Sequence, residues 1–483
     1  MSMAKKFYIT TAIAYVNSDP HLGFAYELII ADCLARWHNL LKEDVFFLTG
    51  TDENAQKNYQ VAKERKIAPK KFVDENSKKF EKLCKVLNIS NNDFIKTTEK
   101  RHVQVAQEIF KKVYDNGDIY KGTYEGYYCN GCESFLTEKD LVNGKCPEHN
   151  KEPEWLKEEG YFFKMSKYQE KVLKLLKTKD FVIPASKRNE MINRIEEQGL
   201  KDLSVSRAKL EWGIPLPIDK NNIIYVWFDA LLNYVSALGY PNDKNYKKYW
   251  PADIHLIGKG INWFHSVIWP SILISANIPL PKTILVHGYV NLGGKKLSKS
   301  SGIVVDPFDL SRKYPTDSIR YFLLRHIPFG EDGDFSEKAL VDRHNNELAD
   351  KLGNLVSRVA ALAEKNGIEK TENKLIKKLE LNKIEKHLEN YEFDKALNLI
   401  FAFIDICNEY VQDKKPWETK DKKILYELVD SIKAVAILLW PFIPETSEKI
   451  AKQFKFDIKL ENIKKPLNVS KIKREKILFE KIR

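Results

Sequence analysis

The sequence lacks an apolar run long enough to cross a membrane. The longest such run, Ala434 to Leu439, is followed at once by Trp440 and Pro441, whereas a membrane-spanning helix needs about 20 apolar residues. No signal peptide precedes Phe7, and a signal peptide would have marked the chain for export. We therefore expect an intracellular, cytoplasmic protein with no membrane partner.

Cysteine is also scarce, with 6 in 483 residues. Cys33, Cys84 and Cys407 stand alone within apolar helical patterns, where a cysteine behaves as a small buried hydrophobe. The other three form the pattern C-x2-C-x13-C-x2-H with a histidine, at Cys129, Cys132, Cys146 and His149. Two hairpin turns with such spacing can close a tetrahedron around Zn2+, and four protein ligands leave no position for water. We predict one structural zinc; four unconnected residues on a polar loop are the alternative.

A Walker A loop is missing as well, because the segment Gly288 to Lys295 has the wrong spacing for one. A different phosphate site is indicated near the amino terminus, where the apolar strand Phe7 to Thr11 is followed by a polar turn and a helix that starts near His21. The first turn of a helix offers unpaired N–H groups and partial positive charge to an anion. Gly23 permits close approach of a ligand and His21 adds a directed donor. Capping and packing are the alternative for both.

A second, lysine-rich stretch occurs at residues 293–302, with the sequence GGKKLSKSSG. By itself it reads as a solvated turn. HLGF at 21–24 followed by KLSKS at 296–300 resembles the paired HIGH and KMSKS signatures of class I aminoacyl-tRNA synthetases. The blocks AIAYVNSDPHLG, FLTGTDE, YVWFDALLNY, FHSVIWP, VHGYV and KKPWE are similar to the methionyl-tRNA synthetases within that class. They run in the family's order from Tyr8 to Trp417, so the resemblance covers nearly the whole chain.

A chain of this length is expected to form two to four domains. Short apolar strands alternate with helices, which predicts a Rossmann-like, doubly wound parallel α/β sheet; two separate α/β domains are the alternative. The composition shifts to aromatics, glycine and charge between Gly117 and Pro217, and becomes helical after Asp306. The predicted domains are 1–116 and 218–300 for the two halves of the catalytic domain, 117–217 for an inserted zinc domain, 301–344 for a linker, and 345–483 for a helical bundle with a tail.

Polar residues follow several of the predicted strands. The strands are Val45 to Leu48, Ile223 to Phe228, Ile254 to Ile257 and Thr283 to Val286. In an open parallel sheet, ligands bind beyond the carboxyl ends of the strands where the winding reverses. Residues scattered over nearly 280 positions are therefore expected to converge on one site.

The resemblance assigns roles at that site. His21, Lys296 and Lys299 are implied as catalytic cations and donors, with Gly23, Glu27, Lys259 and Ser298 as further ATP contacts and Mg2+ accompanying ATP. Asp52 is the expected partner of the amino-acid ammonium, steadied by Arg207. An aromatic wall suits a thioether, which offers polarizable sulfur and almost no hydrogen bonding. The implied methionine contacts are Ala12, Ile13, Tyr15, Asp52, Arg207, Trp227, Ala230, Tyr234, Ile261 and His265.

The helical bundle carries the implied tRNA contacts. Asn354 and Arg358 are four residues apart on one helix flank, and Pro416 and Trp417 stand at a helix start. From these residues alone, solvated surface and core packing are the simpler interpretations. The resemblance implies instead that all four read the anticodon of tRNA(Met). Stacking on an aromatic ring such as that of Trp417 suits a splayed single-stranded base. The net charge of +12 is compatible with such a polyanionic partner.

Some positions depart from the family pattern. Phe24 replaces a second histidine, Asn54-Ala55 replaces His-Gly, Gly260 replaces a frequent Asp, and Ile303 replaces a common Asn. A non-catalytic tRNA-binding relative is therefore kept as an alternative to an active ligase. Leucine, isoleucine and valine enzymes are disfavoured because an insertion of about 100 residues leaves little room for an editing domain. The family's appended tRNA-binding domain is not seen, so a monomer is expected.

Overall fold

The computed structural model describes residues 5–129, 134–136, 138–147, 150–208, 210–296, 305–469 and 471–483, with the backbone only at 124, 134, 135, 158, 295 and 296. The strands, numbered in chain order, are β1 (Lys6–Thr11), β2 (Ala14–Tyr15), β3 (Asp44–Asp52), β4 (Asp93–Lys96), β5 (Ile119–Cys129), β6 (Ser134–Leu136), β7 (Glu154–Phe163), β8 (Val182–Ile183), β9 (Leu203–Ser204), β10 (Ser206–Ala208), β11 (Asn222–Ile224), β12 (Ile254–Gly258), β13 (Thr283–His287), β14 (Val290–Leu292), β15 (Lys295–Lys296) and β16 (Gly333–Asp334).

The α-helices are α1 (Leu22–Leu40), α2 (Gln56–Glu64), α3 (Pro69–Val86), α4 (Lys100–Asp115), α5 (Gln169–Leu176), α6 (Ala185–Gln198), α7 (Val226–Leu231), α8 (Asn233–Ser236), α9 (Lys244–Tyr249), α10 (Trp269–Ser275), α11 (Pro307–Lys313), α12 (Thr316–His326), α13 (Glu337–Arg343), α14 (Asn354–Asn366), α15 (Leu381–Glu389), α16 (Phe393–Lys414), α17 (Pro416–Thr419), α18 (Lys422–Leu439) and α19 (Pro444–Phe454). Two π-helical turns, Phe264–Ile268 and His344–Gly353, precede α10 and α14. No helix of the described ranges is both long and apolar enough to span a bilayer.

The centre of the molecule is a parallel sheet of β1, β2, β3, β4, β8, β12 and β13. β1 pairs with β3 on one side and with β12 on the other, β4 adds to β3, and β13 and β8 follow β12. The winding therefore reverses between β1 and β12, where an open α/β sheet forms its ligand crevice. The predicted parallel α/β architecture is confirmed.

The strand residues alternate between two hydrophobic cores, one on each face of the sheet. Phe7 and Ile9 belong to one core and Tyr8 to the other. A strand buried on both faces must be apolar at consecutive positions, which explains the short continuous apolar runs. The first core continues into the carboxyl-terminal helices, so the sheet and the predicted helical bundle share packed side chains.

The segment between the two halves of the sheet contains antiparallel strands. β5 and β7 pair over ten residues, flanked by β6 and β9. Val182–Ile183, inside the predicted insertion, instead forms the edge strand β8 of the parallel sheet. A two-residue strand has no periodicity to read, so only the tertiary structure assigns it.

One strand prediction is wrong. The stretch Ile223 to Phe228 was expected to form a sheet strand, but only Asn222–Ile224 is extended, and β11 pairs antiparallel with β10 outside the parallel sheet. Val226–Leu231 is helix α7. The periodicity of the apolar run YVWF is compatible with a strand and with a helix. Packing against the second core selects the helix.

Candidate active site

A cavity of about 150 Å³ lies at the carboxyl ends of β1 and β3. A cavity of about this size accepts a molecule as large as benzene. Its lining contains every predicted methionine contact except Arg207, together with Leu231 and Asn233. The lining residues are Ala12, Ile13, Tyr15, Asp52, Trp227, Ala230, Leu231, Asn233, Tyr234, Ile261 and His265.

Leu231 and Asn233 were missed because the preceding segment was read as a strand. Once α7 is recognised as a helix, Leu231 follows Trp227 by four residues and Asn233, which begins α8, follows Ala230 by three, both of which are same-face helical spacings. The Asn233 side chain donates to the Ala230 carbonyl at 2.7 Å. Helical periodicity over residues 226–236 was the signal that would have found them.

Aromatic rings form one wall of the cavity. Trp227 stacks on Phe264 with ring centroids 3.7 Å apart, and it meets Tyr15 and His265 edge to face at 6.4 and 6.3 Å. Such contacts fix the rings in place and favour polarizable groups between them. The wall therefore suits an apolar side chain that contains sulfur.

The His265–Tyr234 pair lies at the buried end of this wall. His265 Nδ1 lies 3.0 Å from the Ile261 carbonyl, which can only accept, so this nitrogen carries the proton. Burial lowers the pKa of His265 to about 4, so the ring is neutral and its Nε2 accepts the Tyr234 hydroxyl at 2.7 Å. The Tyr234 hydroxyl therefore donates its hydrogen to His265. Neither side chain of this pair offers a hydrogen-bond donor to a substrate in the cavity.

Asp52 closes the other end of the cavity. It ends β3, is 1% exposed, and lies beside Tyr15 through the β2–β3 pairing. Its Oδ1 accepts the Asn54 backbone N–H at 3.1 Å and the Thr97 hydroxyl at 3.4 Å. A buried carboxylate at the mouth of an apolar cavity is suited to an ammonium group.

Arg207 is bonded to residues of β9 and β10. Its Nη1 donates to the Ser204 hydroxyl at 3.1 Å and to the Ser206 carbonyl at 2.7 Å. Its guanidinium lies 4.3 Å from the centre of the Tyr225 ring. The pairing of Arg207 with Asp52 stays a prediction.

His21 caps the amino terminus of α1. Its Nδ1 accepts the Phe24 backbone N–H at 3.3 Å, so the proton of the neutral ring lies on Nε2 and makes that nitrogen a donor. A Cβ at Gly23 would lie 3.0 Å from the His21 ring. Gly23 thus allows the imidazole to fold over the first helical turn, where N–H groups and the helix dipole favour an anion.

The lysine-rich stretch begins in a hairpin. Gly293 and Gly294 both have positive φ, at 58° and 74°, as a two-residue type I′ turn between β14 and β15 requires. The Gly294 N–H donates to the Asp334 carboxylate at 3.0 Å. The backbone of Lys296 belongs to β15, whereas Ser298, Lys299 and Ile303 lie outside the described residues.

Val305, the next described residue, lies directly beside the amino terminus of α1. The Leu22 N–H, which follows His21, donates to the Val305 carbonyl at 3.1 Å. The segment between β15 and Val305 therefore ends within one hydrogen bond of the proposed anion site. Leu22 and Val305, which are 283 positions apart in the sequence, are neighbours here.

Glu27 and Lys259 lie nearby with internal partners. The Glu27 carboxylate accepts the Ala12 N–H at 2.7 Å and meets His287 Nε2 at 3.0 Å, which joins α1 to the ends of β1 and β13. The Lys259 ammonium donates to Asp332 at 2.7 Å and lies over the Tyr289 ring. Their contact with ATP stays a prediction.

Phe24, where the family has a second histidine, points into the core. It is 8% exposed and packs edge to face on Phe80 with centroids 5.2 Å apart. Gly260 lies in an exposed turn between Lys259 and Ile261. Asn54 forms hydrogen bonds to the buried residues Asp52, Thr97 and Asp229.

Two of the four predicted zinc ligands are described. Cys129 ends β5 opposite Ser134 and Cys146 follows the turn Val142–Lys145; their side chains are 3% and 1% exposed and form no disulfide. Cys132 and His149 lie outside the described residues. Within the ranges that the structure describes, no group of three or more His, Cys, Asp or Glu side chains is placed to hold a metal ion.

The four predicted anticodon residues lie in the helical bundle. Asn354 and Arg358 are exposed on α14, Pro416 is buried at the start of α17, and Trp417 is 41% exposed. The large exposed ring is unusual, since a tryptophan is normally mostly buried.

Comparison with known proteins gives the family. The model of class I tRNA synthetases of the M type matches residues 7–153 and 139–360, and that of the anticodon-binding domain of tRNA ligases matches 373–481. The methionine–tRNA ligase of Caldanaerobacter subterraneus subsp. tengcongensis is 44% identical, over 99% of this chain and 79% of its own.

Solved structures agree with this assignment. Methionyl-tRNA synthetase of Mycobacterium tuberculosis bound by methionyl-adenylate superimposes with a TM-score of 0.94 at 34% identity, over 99% of this chain and all of that one. The free form of the same enzyme matches with a TM-score of 0.87 at 33% identity, over 99% of each chain. The chain described here therefore belongs to the methionine–tRNA ligase family of class I aminoacyl-tRNA synthetases.

Proposed function

We propose that the described cavity binds methionine and that this chain joins it to tRNA(Met) in two steps. A methionine carboxylate oxygen attacks the α-phosphorus of ATP and pyrophosphate leaves, which forms methionyl-adenylate. A terminal ribose hydroxyl of the tRNA then attacks the adenylate carbonyl and AMP leaves. The observation that carries the proposal is the meeting of the cavity, the α1 mouth and Val305 at one edge of the sheet.

Recognition of methionine divides between the two ends of the cavity. Asp52 receives the ammonium, and Trp227, Tyr15 and His265 surround the thioether. Because the Tyr234 hydroxyl donates to His265, a side chain that needs a hydrogen-bond donor finds no match there. A hydrophobic pocket alone discriminates poorly between aliphatic side chains, so the polarizable rings supply the preference for sulfur.

The phosphates are held at the α1 mouth. His21 Nε2–H and the positive end of the α1 dipole face the leaving pyrophosphate, and the ammonium groups of Lys296 and Lys299 share its charge with the Mg2+ that accompanies ATP. Lys299 stands six residues before Val305, which keeps its Cα within about 22 Å of that residue at full extension. Positioning and cations suffice, because no covalent enzyme intermediate is needed.

Methionine-dependent exchange of label between pyrophosphate and ATP tests the first step. Lys299→Ala should abolish exchange while tRNA binding persists, and Lys111→Ala, which removes a surface lysine paired with Asp115, should leave both intact. Full exchange in Lys299→Ala would refute the assigned role. No exchange in the wild-type chain, or exchange with another amino acid in its place, would refute the proposed function.

One structural zinc fits the insertion. Cys129 and Cys146 supply two buried thiols, and Cys132 and His149 complete the donor set by their spacing. Zinc bound by four protein ligands contributes folding energy to a small domain and no chemistry.

Metal analysis tests this site. We expect one zinc per wild-type chain and its loss in Cys129→Ser. Cys84→Ser changes a cysteine that is also buried, at 4% exposed, but that stands apart from the motif, so it should retain the metal. A metal-free, folded wild-type chain would exclude the zinc.

The helical bundle is proposed to read the anticodon through Asn354, Arg358, Pro416 and Trp417. Lys351, in the π-helical turn that precedes α14, bonds through its ammonium to Asp405 of α16 at 2.7 Å. Helix α16 ends at Lys414, just before Pro416. The exposed Trp417 ring offers a stacking surface for an unpaired base. Arg358 adds a cation for the phosphate backbone.

A further inference from the structure

Two buried carboxylates beside the cavity are linked through one residue, Asn54, which uses its backbone N–H for one and its side-chain amide for the other. The Asn54 backbone N–H donates to Asp52 Oδ1 at 3.1 Å, while its side-chain Nδ2 donates to Asp229 Oδ2 at 2.8 Å and to the Thr97 carbonyl at 3.1 Å. Asp52, Asn54 and Asp229 are 1%, 7% and 0% exposed. Both side-chain hydrogens of Asn54 are therefore used inside the protein, and neither reaches the cavity.

Asp229 has a second donor on its other oxygen. His102 Nε2 lies 2.5 Å from Asp229 Oδ1, and both side chains are fully buried. With the ring proton on Nε2, His102 Nδ1 accepts the Ser236 hydroxyl at 2.8 Å. A buried carboxylate is stable only when such donors satisfy it.

These contacts join parts of the chain that line opposite sides of the cavity. Asp229 stands in α7 between Trp227 and Ala230, which line the cavity, and Asn54 stands two residues after Asp52, which ends β3. Helix α4 contributes His102. The relative placement of the wall and the Asp52 carboxylate thus depends on hydrogen bonds donated by residues outside the lining.

We propose that Asn54, Asp229 and His102 are positioning residues that hold the Asp52 carboxylate and helix α7 at the separation required to bind the ammonium and the side chain of methionine together. This inference rests on the proposed role of Asp52. An asparagine suits position 54 because its neutral amide offers two donors between acceptors. A leucine of similar size would leave the Asp229 oxygen without its donor and release α7 from β3.

The test compares two competitive ligands that differ only in the ammonium group. L-Methioninol carries it, and 4-(methylthio)butan-1-ol lacks it; the inhibition constants of both are measured in the exchange assay. In Asn54→Leu we expect the preference for methioninol to fall about ten- to a hundredfold, the range of one hydrogen bond to a charged group. KM for methionine should rise by a similar factor while KM for ATP stays nearly constant.

Asn373→Leu is the matched control. Asn373 is 9% exposed, and its Nδ2 donates to Asp430 at 2.9 Å in the helical bundle. The control therefore removes the same kind of buried amide–carboxylate bond far from the cavity, and it should keep the wild-type preference. Asn54→Ala serves as a second variant, with the smaller side chain, if the leucine prevents folding.

The outcomes separate the two proposals. If wild type prefers methioninol, Asp52→Asn abolishes the preference and Asn54→Leu keeps it, the positioning role is overturned and the proposed function stands. An equal loss of affinity for both ligands in Asn54→Leu also overturns the positioning role, because a merely structural defect weakens the binding of a ligand with or without the ammonium group. If wild type shows no preference, the role of Asp52 itself fails, and the positioning role fails with it.

Discussion

Arg320 is predicted to be a principal link between the sheet and the helical bundle. It is 0% exposed, and its guanidinium donates to Asp32 of α1 at 2.6 Å. It also donates to the carbonyls of Leu87, Pro441 and Phe442, each at 3.0 Å. Its guanidinium thus donates four hydrogen bonds, and α1, which begins beside His21, is bonded through it to the segment that follows α18.

The charge state of Asp32 makes the loss of Arg320 costly. Burial by itself would raise the pKa of Asp32, but the charges of Arg320 and Arg36, with the Ser90 hydrogen bond, hold that pKa below its ordinary value. The carboxylate is thus ionised in the interior. Removing one partner of a buried pair costs about 3–5 kcal/mol. For 483 residues the unfolding entropy is about 1 kcal/mol per kelvin, so Arg320→Met should lower Tm by about 3–5 °C.

Thermal unfolding followed by calorimetry measures this effect. Arg312→Met is the control, because Arg312 is exposed and pairs only with Asp309 in the neighbouring turn; exposed pairs contribute about 0–1 kcal/mol. The Arg36 guanidinium still donates to Asp32 Oδ2 at 2.8 Å, so the carboxylate keeps one charged partner and the loss should fall at the lower end of the range. An unchanged Tm in Arg320→Met would refute the reasoning.

Three further predictions concern single side chains. Phe24→His should destabilise the protein by about 1–3 kcal/mol, because it leaves an imidazole N–H unsatisfied against Phe80. The variant should not exchange label between pyrophosphate and ATP faster than wild type. A tenfold gain in exchange would instead show that the ATP phosphates reach position 24. The pKa of His265 falls from 6.5 unfolded to about 4 folded, so the unfolded state binds more protons between these values, and the contribution of this one group to stability falls by about 2 kcal/mol as the pH drops from 7 to 5. His265→Gln should flatten that dependence in thermal unfolding, and an unaltered slope would contradict it. Trp417→Ala should raise KM for tRNA about ten- to a hundredfold and leave exchange intact, while Trp417→Phe retains a stacking ring and most of the affinity; loss of exchange would instead place Trp417 in the fold.

Much of the site was readable from local patterns. The strand β1, the helix mouth at His21 and Gly23, and the parallel sheet follow from apolar runs and capping chemistry within short windows, where local physics decides the structure. The resemblance then supplied the cavity residues, most of which line one cavity. The zinc spacing is likewise a property of the sequence alone, and its metal stays a prediction.

Other features depend on contacts between distant segments. The helix α7 was read as a strand, because a run of apolar residues satisfies both periodicities and only packing against the second core selects one. Strand β8 is too short to be predicted from a sequence pattern. It is extended because it pairs with the edge of β13. The link from Asp52 through Asn54 to Asp229 and His102 joins three elements whose sequence separation hides it.

The sequence by itself determined which residues form the apolar strands, where α1 begins, and which side chains carry charge or sulfur, because these depend on neighbours a few positions away. The tertiary structure alone decided that Leu22 and Val305 share a hydrogen bond, that α7 faces the cavity, and that Arg320 joins α1 to the bundle. Such pairings are set by the burial of whole elements against one another, and no short window of residues contains that information.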